Sequence, residues 1–189
     1  PALSETYESN VPGLFIVGAL GGYPLIKQAM NQGHEVVDSI MGLPVVPADE
    51  PLLAEKFKPL GDVSVSAVLD MILENVPLFN QMTRLQLREF MLESTLHQPK
   101  KGSVIFHKGD YTSTFFAIVQ GGVGIELVNK DGKPFILNLD KGNYFGEMGL
   151  ISGRRRTATV YAGNNCVLIE TPRKAMLKLI ASVDAVRRT

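Results

Sequence analysis

Residues 102–171 read GSVIFHKGDYTSTFFAIVQGGVGIELVNKDGKPFILNLDKGNYFGEMGLISGRRRTATVYAGNNCVLIET. Within them SVIFHK, FFAIVQ, VGIELV, PFILNL, TATVYA and CVLIET are short and rich in apolar and β-branched residues, and KGD, GG, KDGK, DKGN and GNN divide them. Runs of this kind between glycine-rich turns read as strands. KDGK between two of them is a hairpin signal. So many short strands predict a mainly β fold, a small antiparallel barrel or sandwich.

Helices flank this stretch. VSVSAVLDMILENV (63–76) and TRLQLREFMLEST (83–95) have helical apolar spacing, and Thr83 with Gln86 three residues on is a capping-box pattern. VPLF lies between them as an apolar plug. On the far side, PRKAMLKLIASVDAVRR has Pro172 in its first turn and a stripe of Ala175, Met176, Leu179, Ile180, Val183 and Val186, which predicts a closing helix. Residues 63–189 therefore read as one domain. Residues 43–62 hold four prolines and read as a connector pinned by Leu52, Leu53 and Phe57, with no long regular element. Residues 1–42 read as a strand, LFIVGAL, then a Gly21–Gly22 turn, then a helix opened by Pro24.

Bulk composition excludes several function classes. Nineteen basic and nineteen acidic residues cancel, so no broad charged field points to nucleic acid. The apolar run near the N-terminus is broken by glycine and Pro24, and no stretch has the length of a membrane helix, so a cytoplasmic protein is expected. The single cysteine, Cys166, sits in strand-like NCVLIE and reads as a small buried hydrophobe. His34, His97 and His107 are scattered without metal-ligand spacing, so no metal and no catalytic residue is assigned.

The loop GNYFGEMGLISGRRRTATV carries the chemistry. EMGLI can form one helical turn whose free amides attract an anion. Gly146, Gly149 and Gly153 allow close backbone approach. An arginine opposite such amides can grip a phosphate through paired hydrogen bonds, and Glu147 can accept from sugar hydroxyls. The pattern suits a compact phosphate-plus-ribose ligand, and it lacks the Gly-x-x-x-x-Gly-Lys-Ser/Thr run of a triphosphate site. A surface turn with a solvated basic run at Arg154–Arg156 is the alternative reading of the same residues.

From about Leu73 to Ile180 the chain resembles the cyclic-nucleotide-binding domain family. VPLF, GSVIFHKGD, FFAIVQGGVGIEL and GNYFGEMGLISGRRRTATV follow that family's order, with Arg156 nine residues after Glu147. The resemblance implies a ligand-binding set of Gly146, Glu147, Met148, Gly149, Arg156, Thr157 and Ala158. In it Glu147 meets the ribose 2′-hydroxyl, Arg156 the cyclic phosphate, and backbone amides line the pocket. Met148 is expected to supply an amide or packing, Arg154 and Arg155 to be solvated, and the closing helix to act as a lid. The implied fold is an antiparallel β-roll, a jelly-roll-like barrel with flanking helices, and the implied ligand is cyclic AMP or cyclic GMP. A ligand-free docking domain and a truncated cyclic-AMP-receptor-type transcription regulator are the other readings. A homodimer through the flanking helices is admitted, although no heptad seam sustains it.

TYESNVPGLFIVGALGGYPLIKQAMNQGHEVVDSI (6–40) resembles the C-terminal FAD-contacting segment of thioredoxin-reductase-like flavoproteins. That likeness implies FAD contacts at Gly18 and at helix amides around Leu25. Ala19 departs from it, standing where many such enzymes have an aspartate. The chain lacks a Gly-x-Gly-x-x-Gly fingerprint and a Cys-x-x-Cys pair, so it is not expected to be an enzyme by itself. The expectation is a fragment of a larger FAD- and NAD(P)-dependent oxidoreductase, with the missing oxidoreductase module as partner of the sensor.

Overall fold

The computed structural model describes residues 3–23 and 26–182. Its contacts divide the chain into two units, Pro1–Leu52 and Leu53–Thr189.

The larger unit contains the expected β-roll. Eight strands are described: β1 (Thr95–His97), β2 (Val104–Phe106), β3 (Phe115–Gln120), β4 (Gly122–Val128), β5 (Pro134–Asp140), β6 (Tyr144–Phe145), β7 (Thr159–Ala162) and β8 (Val167–Thr171). They form two four-stranded sheets, ordered β1-β8-β3-β6 and β2-β7-β4-β5, with every pairing antiparallel. At the KDGK hairpin, the Asn129 side-chain oxygen accepts from the amides of Asp131 and Lys133, and Gly132 takes a positive φ of 77°. Two strands were not legible. β1 and β6 have three and two residues, too short for any alternation to show.

The β3 and β8 runs are continuously apolar for a physical reason. Side chains alternate across a strand. In β3, Phe115, Ala117 and Val119 join a core shared with the helices, while Phe116 and Ile118 join the core between the sheets. In β8, Val167 and Ile169 join the first core and Leu168 the second, with Cys166 beside it. Both strands are therefore buried on two faces and lack the alternation of a half-exposed strand. Burial also raises the Cys166 thiol above its ordinary range.

Five helices supply residues to the helical core among the described residues. The 43–62 connector contains α2 (Glu50–Phe57), whose Leu53 and Phe57 are buried although Leu52 is exposed. In α3 (Val65–Asn75), Val65, Val68, Leu69 and Ile72 form the buried stripe, and Ser64 Oγ caps the helix by accepting from the Ala67 amide at 3.2 Å. α4 (Arg84–Glu93) starts on a full capping box. Thr83 Oγ1 accepts from the Gln86 amide at 3.2 Å, and Gln86 Oε1 accepts from the Thr83 amide at 2.9 Å. Phe79 of the VPLF plug meets Phe90 of α4 at 5.0 Å between ring centres. A six-residue helix, α5 (Glu147–Ser152), separates β6 from β7, and α6 (Arg173–Ser182) follows β8. Val183 and Val186 of the expected stripe lie outside the described residues.

The smaller unit departs from expectation. LFIVGAL is not a strand. Glu8 and Phe15 form an isolated bridge, Gly18–Gly21 is a 3-10 turn, and Leu20 is 73% exposed. A lone strand cannot satisfy its backbone without neighbours, and among the described residues this unit provides none. The helix does form, as α1 (Ile26–Ile40). It buries Gln32, Glu35 and Val36. Glu35 accepts from the Tyr7 hydroxyl at 2.9 Å and from the Ala48 amide at 2.9 Å, so polar contacts pin this unit together.

Candidate functional site

The loop between β6 and β7 turns on Gly146, which has a φ of 87° and caps α5. A Cβ there would lie 2.6 Å from Arg156 Nη1 and 2.9 Å from the Thr114 carbonyl oxygen. Positive φ and this crowding both require glycine. At Gly149 a Cβ would lie 3.0 Å from the Thr112 carbonyl oxygen. These two glycines thus make room for Arg156 and for the β2–β3 loop.

Arg156 is buried, 4% exposed. Its Nε donates to Thr112 Oγ1 at 2.7 Å, and its Nη1 to the Gly146 carbonyl at 3.0 Å. Its Nη2 donates to the Thr114 carbonyl at 2.7 Å and to Thr114 Oγ1 at 3.1 Å. The guanidinium lies 4.1 Å from the centre of the Phe106 ring, a cation–π distance. Burial lowers its pKa, and the charges of Glu170, Asp110 and Glu147 oppose that shift. An arginine remains protonated under such a shift. Backbone bonds zip the two loops together, Gly109 N–H to the Arg156 carbonyl at 2.8 Å and Arg156 N–H to the Asp110 carbonyl at 2.9 Å.

All seven residues assigned from the sequence, Gly146, Glu147, Met148, Gly149, Arg156, Thr157 and Ala158, line one cavity of about 160 Å³. Phe106, Ile125, Leu127, Phe145 and Val160 give it an apolar wall. Glu147 is half-buried, and its carboxylate accepts no hydrogen bond from a described residue. Met148 and Thr157 are exposed at the rim, and Ala158 is buried. The site thus offers an open acceptor, a pinned cation, a helix start and an apolar wall.

Sequence reasoning missed the residues that hold the arginine. Thr112 and Thr114 lie in YTST, which carries no pattern of its own. The available signal was physical: a buried arginine needs acceptors, and hydroxyls on the neighbouring loop supply them. Arg155 is exposed, as expected, but not merely solvated. It donates to the Gly109 carbonyl at 3.0 Å and covers the Tyr111 ring at 5.6 Å.

The flavin positions are placed differently. Gly18 is buried in the smaller unit, and its amide already donates to Gln32 Oε1 at 2.7 Å. A Cβ on Gly18 would lie 2.9 Å from Ala29 Cβ. Gly18 therefore serves the approach of α1, and its amide is already taken. Leu25 lies outside the described residues, as does Pro24. Among the described residues no group of His, Cys, Asp or Glu gathers to hold a metal ion, and no helix is long and apolar enough to cross a membrane.

Comparison with known proteins concerns the larger unit. Residues 96–183 match the family model described as the cyclic nucleotide-binding domain. The cAMP-activated global transcriptional regulator CRP of Salmonella typhimurium is 32% identical over 96 residues, 50% of this chain and 46% of that protein. The cAMP-dependent protein kinase regulatory subunit of Mycosarcoma maydis is 29% identical over 96 residues, 51% of this chain and 18% of that protein. This chain therefore spans about half, or less, of those relatives. The crystal structure of Thermus thermophilus catabolite activator protein superimposes with a TM-score of 0.52 at 25% identity, over 59% of this chain and 53% of that one.

Proposed function

From the match of residues 96–183 to the cyclic nucleotide-binding domain family, we propose that this chain is a regulatory module that binds cyclic AMP in the cavity around Glu147 and Arg156. One observation carries the reading: an unpaired carboxylate and a buried, fully oriented guanidinium line the same cavity. Glu147 accepts from the ribose 2′-hydroxyl. Arg156 and backbone amides at the start of α5 meet the cyclic phosphate. The apolar wall takes the base. The names of the relatives favour cyclic AMP over cyclic GMP.

Binding has a route to the rest of the unit. Arg173, the first residue of α6, donates from Nε to the Leu150 carbonyl of α5 at 2.8 Å. Lys178 of α6 pairs with Glu89 of α4 at 2.5 Å. A ligand that favours one position of α5 therefore biases α6, a shift in population between two arrangements. The module it controls is proposed to be flavoprotein-like, on the sequence of residues 6–40 alone. A full-length gene product that carries no flavin and no flavin absorbance overturns that part.

Calorimetry with cyclic AMP and cyclic GMP tests the binding. The wild-type chain is expected to bind one cyclic AMP. Glu147→Ala removes an acceptor that holds nothing else in place, so it should leave melting unchanged and weaken binding by about tenfold to a hundredfold. Wild-type protein that takes up neither nucleotide sinks the proposal.

A further inference from the structure

The holding of Arg156 is unusual in its chemistry. A buried cation is ordinarily matched by a carboxylate in contact. Here, among the described residues, no carboxylate lies within ion-pair distance of the guanidinium. Its contacts are two threonine hydroxyls and two backbone carbonyls. We infer that Thr112 and Thr114 are positioning residues of the anion site, whose hydroxyls fix the Arg156 fork while leaving its charge free for a phosphate. The inference rests on the cyclic-nucleotide reading of the cavity.

The geometry supports a role in orientation. Nε and Nη2 both face the β2–β3 loop through Thr112 and Thr114, which fixes the plane of the guanidinium. Nη1 carries two hydrogens and gives one to the Gly146 carbonyl, so one remains for a ligand. Neutral acceptors satisfy the buried donors without neutralising the cation. An arginine locked before the ligand arrives loses little freedom on binding. The acidic groups Asp110, Glu147 and Glu170 act on it only through space.

The hydroxyls are also separable from the fold. The two backbone bonds between Gly109, Asp110 and Arg156 join the loops without them. Phe106 and Phe116 supply the ring faces on which the guanidinium lies. Removing the hydroxyls should therefore loosen the fork and leave the loops paired.

The test is cyclic AMP titration of the full chain by calorimetry, with melting followed alongside. Thr112→Val with Thr114→Val should weaken binding by about tenfold to a hundredfold, the loss expected for hydrogen bonds to a charged group. Thr112→Ser with Thr114→Ser restores both hydroxyls and should bind within about twofold of wild type. In an Arg156→Ala background, adding the two valines should change nothing further, because the threonines act through the arginine. If the double valine variant does not fold, Thr112→Val alone is read in the same way. Valine variants that bind as wild type overturn the inference, as does an equal loss in the Arg156→Ala background or a failure of serine to rescue. A wild-type chain that binds no cyclic nucleotide overturns the proposed function itself, and this inference with it. A wild type that binds well but ignores the threonines overturns only the inference.

Discussion

Among the described residues each unit buries one side chain that is charged at neutral pH, Glu35 in the smaller and Arg156 in the larger, and the two units build opposite surroundings for it. In the larger unit Arg156 sits beside a dense apolar core that includes Phe106, Phe116, Ile118 and Leu168. In the smaller unit Glu35 is itself much of the interior. There the buried residues are Gln32 and Glu35 with Tyr7, Val36 and Gly18. The apolar side chains of α1 point elsewhere. Ile26 is 81% exposed and Ile40 64%, with Met30 and Val37 also exposed. A polar group buried with good partners contributes specificity of arrangement but little net stability. The larger unit therefore has a stable scaffold on which a charged site can be held still. The smaller unit has the pins without the scaffold.

The largest expected effect is in the larger unit. Ile118 is fully buried between the sheets. Ile118→Ala should cost about 2–5 kcal/mol in urea unfolding, since it removes transfer energy and leaves a cavity. A loss below about 1 kcal/mol would mean that this core is loosely packed, and the contrast between the units would fail.

That contrast also explains what could be read from the sequence. The β-roll was legible because its strands are separated by glycine turns and because FFAIV and CVLI are apolar without interruption. The capping box at Thr83 and Gln86 was legible because it is a local hydrogen-bond exchange. The gathering of Glu147 and Arg156 at one cavity was legible too, since the two are close in sequence and lie between the same two strands. Thr112 and Thr114 were not, because their bonds to Arg156 span more than forty residues. The strand expected at LFIVGAL failed for a related reason. Its apolar run satisfies a local rule, but a strand is completed by partners, and the described part of that unit has none to give. The polar role of Gln32 and Glu35 was hidden too, since a helical pattern marks the apolar face as the one to bury.

An intermediate effect is expected at Tyr7. Its hydroxyl donates to Glu35. Burial first, and then the hydrogen bond and the charge of Glu35, push its pKa well above the ordinary tyrosine range. The folded state therefore holds this proton more tightly than the unfolded state does. Below about pH 10 both states are protonated and the full contribution is present. Above that pH the unfolded chain loses the proton first, so stability falls as pH rises. Tyr7→Phe should cost about 1–3 kcal/mol at neutral pH, because Glu35 loses one of its two donors. It should also flatten the alkaline decline. Amide exchange across residues 26–40 reads both effects in the unit concerned. An unchanged alkaline slope in the phenylalanine variant would show that the Tyr7–Glu35 bond is not what holds this unit.

The smallest effect is the most discriminating for the smaller unit. Ile40 lies on the exposed side of α1 together with Ile26, Met30 and Val37, at spacings that put all four on one face. If that face meets only water, Ile40→Ser removes no buried surface and should change stability by less than about 0.5 kcal/mol. It should raise solubility, because a contiguous apolar patch favours association. A loss above about 1.5 kcal/mol would be the cost of uncovering a buried isoleucine. The face would then be covered in solution, and the smaller unit would owe its stability to that cover rather than to Tyr7 and Glu35. Repeating the measurement over a hundredfold range of protein concentration separates two such covers. Stability that rises with concentration means a second copy of the chain lies on the face, and constant stability means the chain covers it itself.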